Sequence, residues 1–124
     1  HLAGDEMLRE FANRVAGEIR ELDRIGRDGK AEHETFGRYG GEEFLLVLPE
    51  TDAEGTRICG ERIRARIAGQ HFDVAPSEPS ITVSIGVTVY RVDEPIRDTL
   101  ARADQALYRA KHGGRDRVET ILPA

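Results

Sequence analysis

The sequence predicts an α+β fold, with helices packed on a largely antiparallel sheet. Apolar residues recur at helical spacing in three separate stretches. Short β-type runs stand between them, and two of these flank a pair of glycines as a hairpin would. The resulting order is helix, strand, strand, helix, strand, helix, strand. Mixed order with a hairpin is the mark of the α+β class.

From Gly4 to about Ile25, the residues Leu8, Phe11, Ala12, Val15, Ile19 and Leu22 recur at spacings of three and four. That is the stripe of an amphipathic helix. Asp5 and Glu6 stand in its first turn, where acids suit the helix dipole. Arg27 to Glu34 is polar and aperiodic and reads as a loop. Thr35 to Tyr39 and Phe44 to Leu48 are strand-like, with Gly40-Gly41-Glu42-Glu43 as the turn between them. Pro49 ends the second strand, and Thr51 or Asp52 caps a helix running to about Ala68. Cys59, Ile63 and Ile67 share one face of that helix, and Arg57 and Glu61, four apart, form a surface pair. Gly69 to Pro79 is a connector. Ile81, Val83, Ile85, Val87 and Val89 alternate with smaller or polar residues, so a strand with one buried face is expected there. Asp93-Glu94-Pro95 opens the last helix, and Ile96, Leu100, Ala103, Leu107 and Ala110 form its apolar stripe. Gly113-Gly114 ends that helix, and Arg117 to Ile121 forms a final short strand.

The chain has 124 residues, the length of one domain spanning 1–124. With 39% hydrophobic and 33% charged residues it is composed as a globular domain, not a disordered tail. Its longest apolar run, Phe44 to Leu48, is far short of the roughly 20 residues that span a bilayer, so no membrane contact by this domain is expected. The lone cysteine, Cys59, cannot form an internal disulfide, which points to the cytoplasm. A net charge of −5 makes nonspecific nucleic-acid binding a poor expectation. The chain starts without a methionine and enters a helical pattern almost at once, so it reads as a domain cut from something longer.

Three groups of residues could carry chemistry. Glu42 and Glu43 project carboxylates from the hairpin tip, and Gly40 and Gly41 leave backbone amides open to a ligand. Carboxylate oxygens suit hard cations such as Mg²⁺. On spacing alone, adjacent acids in an exposed turn are more often merely soluble. Lys111 and Arg115 flank the closing glycines of the last helix and could clasp a polyphosphate, although cations there also offset the helix dipole. Asp5, with His1 before it, could accept paired hydrogen bonds from a guanine edge or serve only as a first-turn acid. Phe36, Tyr39, Phe44 and Phe72 read as packing, not a stacking platform. The histidines have no ligand spacing, so no zinc site is expected, and Cys59 reads as a small core residue.

These signals fall in one order. Arg38 to Phe44, RYGGEEF, resembles the signature of GGDEF domains in its Glu-Glu variant. His1 to Asp5 resembles the end of that family's GHxxGD stretch, Thr82 to Val87 its TVSIGV strand, and Ala103 to Lys111 its ADxALYxAK helix, with Gly114-Arg115 following. The resemblance implies a palm like that of class III nucleotide cyclases, related to ferredoxin-like folds. It implies a diguanylate cyclase domain that joins two GTP molecules into cyclic di-GMP, with two domains facing each other and an upstream sensory domain in the full protein. By the same resemblance Glu42 is a metal ligand, for Mg²⁺ or Mn²⁺, and helps deprotonate the attacking hydroxyl, with Glu43 supporting it. Gly40 and Gly41 admit the phosphates, Asp5 binds guanine with His1 near the nucleotide, and Lys111 and Arg115 hold the terminal phosphates. A non-catalytic GTP- or cyclic di-GMP-binding regulatory module of the same fold is the alternative.

Two departures stand out. The family's first strand, with its metal-binding Asp and guanine-binding Asn, precedes the stretch that begins this sequence, so the 124 residues alone are expected to be inactive, poorly stable, or completed by another segment or chain. The inhibitory RxxD motif of many members is replaced: Ala31 stands at its Arg position and Glu34 at its Asp position, so no product inhibition through that site is expected.

Overall fold

A computed structural model of the chain describes residues 8–17, 19–20, 35–69 and 81–124. The chain divides into two compact units. One takes in residues 1–50 and 70–81, the other residues 51–69 and 82–124.

In the first unit a helix (α1) covers residues 8–17 and 19–20, and its Val15 and Ile19 are buried. Glu10 and Arg14 pair along it at 2.8 Å. Strand β1 (Thr35–Gly40) runs antiparallel to β2 (Glu43–Val47). The Phe36 and Phe44 rings stack at 5.5 Å, and Phe11 of α1 meets Phe44 at 5.2 Å. These aromatic contacts hold α1 against the hairpin, as offset ring pairs at such distances do. Tyr39, expected in that packing, is instead half exposed. The register slips between Arg38 and Gly40, so Tyr39 is the extra residue of a bulge and leaves the alternation.

The second unit holds α2 (Ala53–Ala68), β3 (Ile85–Val87), α3 (Ile96–His112) and β4 (Val118–Thr120). The Asp52 carboxylate accepts the Gly55 N–H at 2.7 Å and so caps α2. Gly60, Ile63 and Ile67 form the buried face of this helix. Arg57 does not pair with Glu61. It chelates Glu54, and Glu61 is taken by Arg64, so both pairs run at i, i+3.

β3 and β4 are parallel, with α3 as the crossover between them, so one of the two strand pairs departs from the antiparallel expectation. Both α2 and α3 contact this pair. Ile85 faces Gly60 of α2, and Gly86 lies against the α3 backbone at Ala103 and Leu107. The expected long strand from Ile81 to Val89 shortens to Ile85–Val87, because among the described residues only these three have a ladder partner. On α3 the fully buried residues are Ala106 and Ala110, and the expected stripe member Ile96 is 62% exposed. Ile96 is the first residue of α3, whereas β3 approaches the helix further along, at Ala103 and Leu107.

Candidate functional site

Gly40 pairs with Glu43, leaving Gly41 and Glu42 as a two-residue loop. Gly41 has φ +51°, a conformation that glycine adopts without steric cost. A Cβ at position 40 or 41 would meet nothing within 4 Å, so the tip is open to close approach by a ligand. Arg38 Nε donates to the Gly41 carbonyl at 2.7 Å and braces the loop from the strand before it. Glu42 is exposed in the loop, whereas Glu43, also expected there, is the first residue of β2 and half-buried. Between α1 and the hairpin lies a cleft of about 510 Å³. Leu8, Ala12, Phe36 and Phe44 line it, and Arg9, Asn13 and Arg38 are its polar groups. That volume falls within the roughly 300–1,000 Å³ typical of small-ligand sites.

In the second unit, Lys111 lies in the last turn of α3 beside Arg109 and His112. The His112 ring stacks on Tyr108 at 3.8 Å. Three left-handed residues follow the helix: Gly114 at φ +123°, Arg115 at +62° and Asp116 at +46°. The Arg115 N–H donates to Ala110 O at 3.0 Å, and Arg117 Nε donates to Arg115 O at 3.3 Å. Arg64 Nη1 donates to Asp116 Oδ1 at 2.8 Å, while its other guanidinium edge bonds Glu61. The hydrogen bonds to Glu61 and then Asp116 raise the Arg64 pKa, and the bond from Arg64 holds the Glu61 carboxyl below its usual range.

A third cluster lies between β3 and α3. Glu94 is buried and receives Arg102 through both guanidinium nitrogens, at 2.9 and 2.7 Å. It also accepts the Arg91 N–H and the Thr99 hydroxyl, each at 2.7 Å. Arg102 further donates to Thr88 Oγ1 and to the Val89 carbonyl. The Arg102 bonds, followed by the Arg91 amide, hold the Glu94 carboxyl far below its usual range, at about 2. With every polar group satisfied, this cluster pins the entry of α3, which has no side-chain cap of its own.

Gly40, Gly41, Glu42 and Glu43 are thus contiguous in one unit, and Lys111, in the last turn of α3, and Arg115, in the loop that follows it, lie in the other. His1 and Asp5 lie outside the described residues, as do Ala31, Glu34 and Phe72. Among the described residues no three His, Cys, Asp or Glu side chains gather as a metal nest. What the tip offers is the exposed carboxylate of Glu42 beside an open glycine pair, and a carboxylate is a donor that fits a hard cation also held by phosphate oxygens and water. Sequence reading missed Arg38, Arg64, Asp116 and the Glu94–Arg102 pair. Arg38, two residues before the glycine pair, is the only one that local spacing could have singled out.

The family model described as "Diguanylate cyclase, GGDEF domain" matches residues 1–117. Diguanylate cyclase DgcP of Pseudomonas aeruginosa is 42% identical over 119 residues, covering 96% of this chain but 16% of that protein. The chain therefore spans a small part of this curated relative's length. Among solved structures, the active GGEEF domain of a diguanylate cyclase from Vibrio cholerae is 32% identical with a TM-score of 0.75, covering 100% of this chain and 72% of that one. Diguanylate cyclase SiaD of Pseudomonas aeruginosa, solved in complex with its activator SiaC, is 36% identical with a TM-score of 0.80, covering 98% and 42%. The family match spans nearly the whole chain, and the chain belongs to the GGDEF domain family of diguanylate cyclases.

Proposed function

We propose that this domain condenses two GTP molecules into cyclic di-GMP with release of two pyrophosphates. The observation that carries the reading is the family match over residues 1–117 combined with an open Gly-Gly-Glu-Glu hairpin tip. Glu42 would hold Mg²⁺ or Mn²⁺, with Glu43 beside it, and a cation held there would neutralise phosphate charge and polarise the attacked phosphoryl group. Glu42 also takes the proton from the 3′-hydroxyl that attacks the α-phosphate of the second GTP. Gly40 and Gly41 allow the phosphates to approach the backbone. Lys111 and Arg115 stabilise charge on the departing pyrophosphate, which is where phosphoryl transfer draws most of its catalysis. His1 and Asp5 take the guanosine end.

Because each domain holds one GTP, a second copy of the domain is the catalytic partner. An upstream sensory domain and an activator of the kind solved with SiaD are natural regulators. Among the described residues no helix is long and apolar enough to cross a membrane. The proposed use of GTP as substrate puts the domain in the cytoplasm. The test is cyclic di-GMP formation from GTP with Mg²⁺. Glu42→Gln is expected to lower turnover by about a hundredfold or more, as loss of a group acting on the reacting centre does. GTP binding with no turnover in the intact protein would favour the non-catalytic alternative.

A further inference from the structure

We infer that Arg64 and Asp116 are positioning residues: their ion pair holds the loop after α3 in the conformation that presents the Arg115 guanidinium to a triphosphate. The inference rests on the reading that Arg115 binds the terminal phosphates, and it adds two residues that touch no substrate. Gly114, Arg115 and Asp116 are consecutive left-handed residues, and only the first is a glycine. An arginine at φ +62° is sterically disfavoured, and such a conformation persists only where its surroundings over-determine it. Here they do. The Arg115 amide is bonded to Ala110 O and its carbonyl to Arg117 Nε. The next residue is tied to α2, 52 positions earlier in the chain.

That anchor is itself rigid. Arg64 follows the buried Ile63 on α2, and Glu61, one turn earlier, holds its guanidinium in place. Asp116 is 42% exposed and Arg64 21%, so the pair adds little as a plain surface bridge. Its effect falls instead on a loop with strained backbone at two non-glycine positions. Among the described residues the Arg115 guanidinium has no hydrogen bond or ion pair, unlike those of Arg64 and Arg102. The backbone is clamped while the charged head is left open, which is the arrangement a preorganised anion contact needs.

A partly exposed ion pair alone shifts an equilibrium by only about twofold to fivefold. Relaxation of the strained backbone once the pair is gone adds to this, so a loss of about fivefold to tenfold in affinity is expected. The experiment titrates Mg²⁺ with 3′-deoxy-GTP, which lacks the attacking hydroxyl, against the intact protein. In parallel, hydrogen exchange is followed at the Arg115 amide. Arg115→Ala is expected to weaken binding by about tenfold or more, since a charge-assisted phosphate contact is lost. Arg64→Gln and Asp116→Ala are each expected to weaken it by about fivefold to tenfold and to speed exchange at Arg115. Asp116→Asn, which tolerates the left-handed region and keeps an acceptor for Arg64, is expected to stay within about twofold of wild type.

If Arg115→Ala weakens binding while Arg64→Gln and Asp116→Ala do not, the clamp is refuted and the phosphate role stands. If Arg115→Ala leaves binding unchanged, the phosphate reading fails. The clamp is then judged on exchange alone, and an unaltered Arg115 amide in Arg64→Gln overturns it.

Discussion

Gly86→Ala is the substitution for which the fold gives the sharpest expectation. A Cβ built on Gly86 would lie 2.3 Å from Leu107 N, 2.6 Å from Ala103 O and 2.8 Å from Leu107 Cα. All three are backbone atoms of α3, and ordinary contact begins near 3.4 Å. No side chain can swing away, so β3 and α3 must separate by about 1 Å, or one of them must bend. Overpacking a core costs about 1–3 kcal/mol, and a backbone obstacle puts this case at about 3 kcal/mol or above. A domain of this length is stable by roughly 6–19 kcal/mol, so the loss is a large fraction of the total. In urea, with a slope of about 1–3 kcal/mol per molar, the midpoint should fall by about 1–3 M. The assay is equilibrium unfolding of wild type and variant side by side. A midpoint within about 0.3 M of wild type would show that β3 does not lie on α3 as described.

The same substitution at Gly60 should act in the opposite direction. Its added methyl would meet Ile85 and Val118 at 3.6 Å, an ordinary contact, and alanine favours the helix interior by about 0.8–1 kcal/mol. Gly60→Ala should therefore raise the urea midpoint, and a lowered one would contradict the packing of α2 on the β3–β4 pair. Asp52→Ala should cost about 1 kcal/mol through the lost cap of α2, whereas Asp52→Ser should recover most of it in the same assay. Glu94, with its carboxyl held near 2, contributes stability that is present above its ordinary value and lost as pH falls through about 2. Unfolding midpoints measured from pH 5 down to 2 should fall less steeply in Glu94→Gln than in wild type, and equal slopes would remove Glu94 from the account.

What could be read from the sequence was the short-range part. The Gly40-Gly41 pair marked the hairpin because tight turns need residues that accept positive φ. Asp52 marked the start of α2 because an N-cap acts over three residues. What escaped depended on distant partners. Alternation from Ile81 to Val89 reports a half-buried surface, but a ladder forms only where β4 lies alongside, at Ile85–Val87. Arg57 chose Glu54 over Glu61 because Arg64 competes for Glu61, and Asp116 draws Arg64 toward the loop after α3. The close approach of Gly86 to the α3 backbone at Ala103 and Leu107 joins residues about twenty positions apart and leaves no local mark in the sequence. Glu94 read as a residue at a helix start, and nothing local indicates that Arg102, two turns on, would turn back to it.

The measurement that bears most directly on the whole account is cyclic di-GMP formation by the intact native protein carrying these 124 residues, assayed with Mg²⁺ as wild type, Glu42→Gln and Lys111→Ala. Both variants should lose turnover by about a hundredfold or more, with the Lys111 variant also raising KM for GTP. Turnover that survives loss of the Glu42 carboxylate, or is indifferent to loss of the Lys111 ammonium, would contradict the claim that the hairpin acid and the cations at the end of α3 both serve the reaction.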